Sequence, residues 1–215
     1  MDIDTIKKII QDFFQEGTVT IVGSGLSLAE GIPGMGELAK KLQMEIPGLL
    51  SATGDIKNWN NIENDLAKGV GLEEALHNTK PSSYVEECIR KVTAIYIGEA
   101  DKRLLTDIVK TGKQLRFSEY LQRFNIRNEG MTVITTNYDR LLEYACETNE
   151  IMADTLFVGK YIARFKPNQS KYASCIGVQR TNGKGKKLQY SPRVIILKPH
   201  GCLSCLLYTS PSPRD

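Results

Sequence analysis

The sequence predicts an α/β fold, a doubly wound parallel sheet with a helical insertion, and three observations carry that prediction. Three apolar runs, TVTIV (18–22), MTVIT (131–135) and RVIILK (193–198), are continuous rather than alternating, the pattern of strands buried on both faces. Each run stops at a punctuating residue such as Gly23 or Pro199, or turns directly into helical periodicity. Helical spacing fills most of the chain between them, which is the alternation that builds a sheet covered by helices.

Taken in order, Ile3, Ile6, Ile9, Ile10, Phe13 and Phe14 recur at helical spacing and predict an amphipathic opening helix that Gly17 ends. Thr18 to Val22 is β-branched and reads as the first strand. Pro33 and Gly34 punctuate the loop after it, and GELAKKLQMEI (36–46) reads as a helix. SATGDIKNWNN (51–61) reads as a loop. From about Ile62 to Asn125 the pattern is mostly helical, broken at Gly69-Val70-Gly71 and Lys80-Pro81. This stretch is the insertion. MTVIT is the next strand, YDRLLEYACE a helix directly after it, and DTLFVG (154–159) a short strand. Residues 160–190 are polar and unpatterned, and RVIILK is the strand that Pro199 stops. No fixed-period repeat occurs.

Composition narrows the class. At 215 residues, 41% hydrophobic and 25% charged, the chain can bury a sizeable core. Its apolar runs are too short to span a bilayer, and the start, MDIDTIKKIIQDFF, lacks a signal-peptide layout. A cytoplasmic protein without membrane contact is expected. A net charge of +3 is too small to argue for direct nucleic-acid binding, and the basic run Gly183-Lys184-Gly185-Lys186-Lys187 reads as a solvated loop. Five cysteines, odd in number and mostly isolated, suit reduced thiols. Cys202 and Cys205 form a CxxC without a second ligand pair, so no metal is expected. The last eleven residues, CLLYTSPSPRD, lack periodicity and resemble translated adapter sequence, against the alternative of a natural Ser- and Pro-rich terminus. On the first reading the domain spans 1–204 and continues past it, and 205–215 is not native.

In parallel sheets of this kind, ligands bind beyond the carboxyl ends of the strands, so the residues just after each strand are the informative ones. The first strand is followed by Gly23-Ser24-Gly25-Leu26-Ser27 and then Gly31-Ile32-Pro33. Glycines there let a backbone approach a pyrophosphate, or simply form a tight turn. The dinucleotide fingerprint GxGxxG fails, because position 28 is Leu. The second strand runs into Thr135-Thr136-Asn137-Tyr138-Asp139, where Asn and Asp can either bind a ligand or cap the next helix. The third ends in Lys198-Pro199-His200-Gly201. His200 stands where a base would be useful. The other histidine, His77, sits in the helical run EEALHNTK and reads as a surface or packing residue.

Gly23-Ser24-Gly25-Leu26-Ser27 with Gly31-Ile32-Pro33, then Thr136-Asn137-Tyr138-Asp139, then His200-Gly201, in that order, resemble the motifs of the sirtuin (SIR2) superfamily over about residues 18–204. The resemblance implies a Rossmann-like NAD site. In it Gly23, Ser24, Gly25, Ser27, Ile32, Pro33, Thr136 and Asp139 would contact NAD, with Asp139 on the nicotinamide amide. Asn137 would bind ribose or orient water, and His200 would act as general base. The family's departures are as telling. Gly34-Met35-Gly36 stands where protein deacylases carry Asp-Phe-Arg, Thr136 replaces a Gln, and His200 lies 63 residues after Asn137, a lengthened gap.

The tyrosine in TTNYDRLLE and the run KPHG resemble divergent SIR2-like domains of bacterial anti-phage immunity proteins. Those hydrolyse NAD+ beside a sensor domain, an ATPase or an Argonaute-like partner, and a homo-oligomer fits the same expectation. The resemblance therefore implies an NAD+ hydrolase, with an NAD-dependent deacylase or a non-catalytic NAD or ADP-ribose binder as the alternatives.

Overall fold

A computed structural model describes residues 2–12, 14, 17–124, 130–159, 163–180 and 186–201. The CxxC pair, the tail beyond Gly201 and residues 183–185 of the basic run lie outside the described residues. The chain divides into two compact units, Met1–Leu26 with Gly112–Asp215, and Ser27–Thr111.

The first unit holds the sheet. It begins with α1 (Ile3–Asp12) and β1 (Val19–Val22), followed by α2 (Ser24–Ala29), whose last residues already belong to the second unit. After the second unit it resumes with α7 (Arg116–Leu121), β2 (Met131–Thr135) and α8 (Leu141–Glu147). Then come β3 (Met152–Asp154), β4 (Phe157–Val158), β5 (Arg164–Phe165), α9 (Pro167–Ala173), β6 (Cys175–Arg180), β7 (Lys186–Tyr190) and β8 (Arg193–Leu197). The main sheet has order β1-β2-β8-β3, and every neighbouring pair is parallel. The three continuous apolar runs read as strands from the sequence are all in it. The chain thus adopts the predicted parallel α/β, Rossmann-like architecture, with helices inserted between its first two strands.

Register explains the burial. Thr20 pairs with Val133, which pairs with Ile196, so these side chains share one face. On that face Met131, Val133, Thr135, Val194 and Ile196 are all buried. On the other, Thr132, Ile134, Ile195 and Leu197 are half-buried, and at the edge strand Val19 and Ile21 are exposed. Helix α8 packs against β3 and β8 through an almost wholly apolar inner side, Leu141, Leu142, Tyr144, Ala145 and Cys146. β8 is tied to β3 by a buried ion pair, Arg193 Nη1 to Asp154 Oδ2 at 2.7 Å. The other oxygen, Asp154 Oδ1, accepts from Leu156 N at 2.9 Å and from the Ser170 hydroxyl of α9. Arg193 Nε is buried without a hydrogen-bond partner.

Three local expectations are corrected. SATGDIKNWNN is not a loop but lies mostly inside α4 (Thr53–Ala67), where Trp59 and Ile62 are 1% and 0% exposed. Burial of those two side chains outweighs the weak helix propensity of Gly54 and the asparagines. The unpatterned stretch 160–190 contains β5, α9 and the antiparallel pair β6–β7, with an irregularity between Cys175 and Gly177. DTLFVG splits between the end of β3 and β4. The opening helix forms as α1, yet it buries no residue, and Ile3, Ile6, Ile9 and Ile10 are exposed. Phe14 beyond it meets the rings of Tyr120 and Phe124, with centroids 5.8 and 5.0 Å away.

The second unit is helical: the end of α2, then α3 (Met35–Glu45), α4, α5 (Leu72–Asn78) and α6 (Ser83–Thr111). Its core joins Leu38, Leu42 and Ile46 to Trp59, Ile62, Leu72, Ala75, Val85, Cys88 and Val92. Gly69, at φ +86°, ends α4 as the sequence foresaw. His77 is exposed on α5, which fits the surface role read for it. No helix among the described residues is long and apolar enough to cross a membrane.

Candidate functional site at the strand ends

β1, β2 and β8 are adjacent and parallel, so the segments after them leave the sheet at one edge. Those segments are Gly23 to Leu26, Thr136 to Arg140, and Lys198 to Gly201. The sequence-predicted residues of the first unit, Gly23, Ser24, Gly25, Thr136, Asn137, Asp139 and His200, all lie on them. Ser27, Ile32 and Pro33 belong to the second unit. There Ser27 is buried, its carbonyl accepts from Glu30 N and Ile32 N at 3.1 and 2.9 Å, and Ile32 is buried as well.

The glycines divide into two kinds. Gly31 holds φ +86°, a left-handed backbone that disfavours any side chain. A Cβ on Gly34 would come within 3.1 Å of Leu28 Cδ1. Both have reasons internal to the fold. Gly23 and Gly25 have neither reason: their φ lies outside the left-handed region, and a Cβ on either would meet nothing within 4 Å. Space stands open in front of them.

Asn137 is held from two sides. Its backbone N–H donates to Thr135 Oγ1 at 3.1 Å, and its side-chain Nδ2 donates to the Gly23 carbonyl at 3.0 Å. The second bond joins residues 114 apart in sequence and brings the first two motifs together. Asp139 is buried, and its Oδ1 accepts from Leu141 N at 3.1 Å, bracing the entry into α8. The capping role that the sequence left open for Asp139 is therefore present in this form. Thr136 is exposed and Asn137 half-buried.

Beyond β8, Gly201 N donates to the Lys198 carbonyl at 3.0 Å, closing a turn with Gly201 at φ +88°. That turn carries His200 outward, exposed to solvent. The Lys198 ammonium turns inward, its side chain only 7% exposed, to meet Glu143 of α8 at 2.8 Å and the Asp139 main-chain carbonyl. Sequence reasoning missed Glu143 and gave Lys198 no role, since no local pattern marks contacts across 55 or 59 residues.

Cys146 is fully buried in α8, and burial pushes its thiol up to about 12. It is a core residue rather than a nucleophile. No group of three or more metal-ligating side chains occurs among the described residues. The edge thus presents an amide, a histidine and two unobstructed glycines, a set that can bind a phosphorylated ligand and orient or deprotonate water.

Comparison with known proteins adds one match: the family described as SIR2-like domain covers residues 131–211, from β2 through the KPHG turn. No curated protein matches the chain.

Proposed function

We propose that this chain, a member of the SIR2-like superfamily through residues 131–211, hydrolyses NAD+ at the bond between nicotinamide and ribose. SIR2-like domains use NAD, and the parallel sheet with its ligand-binding edge is of the kind that serves it. The observation that carries the reading is the hydrogen bond from Asn137 Nδ2 to the Gly23 carbonyl. It couples a glycine segment with open space before it to the amide that the family resemblance assigns to ribose or water.

The residues fit such a substrate. Gly23 and Gly25 leave room for a pyrophosphate to approach the main chain. Asn137 is oriented by two hydrogen bonds before any ligand arrives, and such preorganisation is what positional catalysis requires. His200 is exposed at the same sheet edge and can take a proton.

In the reaction the carbon–nitrogen bond to nicotinamide breaks and its electron pair neutralises the departing ring nitrogen. The ribose carbon, oxocarbenium-like, gains the oxygen of water. The water proton passes to His200, and ADP-ribose and free nicotinamide result. No strong general acid is needed, because the leaving group is cationic at the outset. Hydrolysis rather than deacylation is favoured by Gly34-Met35-Gly36, which replaces the deacylase Asp-Phe-Arg, and by the long interval before His200. By the same resemblance the domain would act as a defence effector with a sensor, ATPase or Argonaute-like partner.

Product analysis tests the reading. Full-length protein with NAD+ and no peptide should yield ADP-ribose and nicotinamide in equal amounts. Turnover that requires an acetylated peptide and yields acetyl-ADP-ribose would instead make it a deacylase, and binding without turnover a binding module.

A further inference from the structure

We propose that Lys198 is a positioning residue that locks the segment after β2 to the turn after β8. The inference rests on the NAD+ hydrolase reading for its consequence, though not for its geometry.

Lys198 follows the last residue of β8 and is two residues before His200; the carbonyl that it reaches belongs to Asp139, two residues after Asn137. Its side chain is 7% exposed and that of Glu143 15%, so the contact is shielded from water. Both Glu143 oxygens lie close to the ammonium, at 2.8 and 3.0 Å, while a further N–H is spent on the Asp139 carbonyl. A lysine ammonium suits this place because its three donors can diverge toward a carboxylate and a main-chain oxygen at once.

Glu143 stands in the first turn of α8, where a carboxylate is favoured by the helix dipole. Asp139 Oδ1 braces the same turn through Leu141 N. The lock therefore grips both the main chain leading out of Asn137 and the helix behind it. Asn137 is in turn bonded to Gly23. A single chain of contacts, Gly23 to Asn137, along the main chain to Asp139, then Lys198 and on to His200, links all three strand ends.

A buried ion pair adds little net stability against well-packed apolar residues of similar size, whereas removing one partner strands a charge. Replacing both partners therefore separates positioning from stability. The test compares wild type, Lys198→Met, Glu143→Gln and the double variant Lys198→Met with Glu143→Leu. It reads thermal stability, steady-state NAD+ hydrolysis and amide hydrogen exchange of residues 136–142.

The double variant is expected to keep a melting temperature close to that of wild type, while kcat falls about tenfold or more, since small misplacements of catalytic groups have effects of that order. KM should change less than about threefold, because the lock does not itself bind substrate. Exchange over 136–142 should quicken. Should the double variant not fold, Glu143→Gln, which keeps the side chain's size, still reads kcat and exchange, with a lower melting temperature because it strands the Lys198 cation. Wild-type kcat and wild-type exchange in a variant lacking the pair would overturn the proposal. If wild type releases no ADP-ribose, the hydrolase reading fails on its own. Exchange then decides the lock alone, faster exchange supporting it and unchanged exchange overturning it.

Discussion

Alanine at Gly23 or Gly25 distinguishes a glycine that faces a ligand from one that makes a turn. Neither residue has φ in the left-handed region, and a Cβ at either position would meet no described atom within 4 Å. The folded state therefore loses nothing, and the unfolded chain loses freedom, which should stabilise the protein by about 0.4–1 kcal/mol. Gly25 lies inside α2, where alanine is the better helix former by about 1 kcal/mol. Gly31, at φ +86°, is the control: alanine there should destabilise by roughly 1–2 kcal/mol. If the open space receives a pyrophosphate, a methyl group at Gly23 or Gly25 obstructs it. An obstruction of about 1.4 kcal/mol raises KM for NAD+ about tenfold. Urea unfolding midpoints measured beside steady-state NAD+ hydrolysis read both quantities for the three variants. The reasoning is refuted if Gly23→Ala or Gly25→Ala destabilises by more than about 1 kcal/mol, or if both variants keep the wild-type KM.

Two further expectations concern the framework under the site. Asp154→Ala leaves Arg193 buried without its carboxylate and should destabilise by about 3–5 kcal/mol, whereas Asp154→Leu with Arg193→Met should lie within about 2 kcal/mol of wild type in denaturant unfolding. Equal losses in the two would contradict that account. Cys146 holds its proton in the folded state up to about 12, against 9.0 for the ordinary thiol. Above pH 9 the unfolded chain ionises first, so this thiol's contribution to stability is complete below that pH and is lost as pH rises toward 12. The decline should be about 1.4 kcal/mol per pH unit. Cys146→Ala should flatten that part of the stability–pH profile measured by chemical unfolding.

What the sequence disclosed follows from the range of the forces involved. The strands at 18–22, 131–135 and 193–198 were readable because β-branched residues buried on a parallel sheet leave an unbroken apolar run. The first part of α4, up to Asn61, was not, because Gly54 and the asparagines favour a turn and the burial of Trp59 and Ile62 outweighs them. β6 and β7 escaped notice since Ile176, Val178 and Leu188 stay exposed, and without a buried face the alternation loses its meaning. At the candidate site, Gly23, Asn137 and His200 were nominated by their position after strands, and the structure places those segments at one sheet edge. The bond from Asn137 to Gly23 and the grip of Lys198 on Glu143 are long-range contacts that no local period encodes. Asp139 shows the other limit, since a residue nominated for a ligand also has a structural bond to Leu141 N.

The central claim is that the strand-end residues spend NAD+ on water, and chromatographic quantitation of nicotinamide and ADP-ribose tests it most directly. Wild type, Asn137→Ala and His200→Ala would be incubated with NAD+ without peptide. Wild type is predicted to release the two products in equal amounts, and each variant to turn over on the order of 10²-fold more slowly. His200→Ala should fold as wild type does, because His200 is exposed. Variants that match the wild-type rate, or release that depends on an acetylated peptide, would contradict the account.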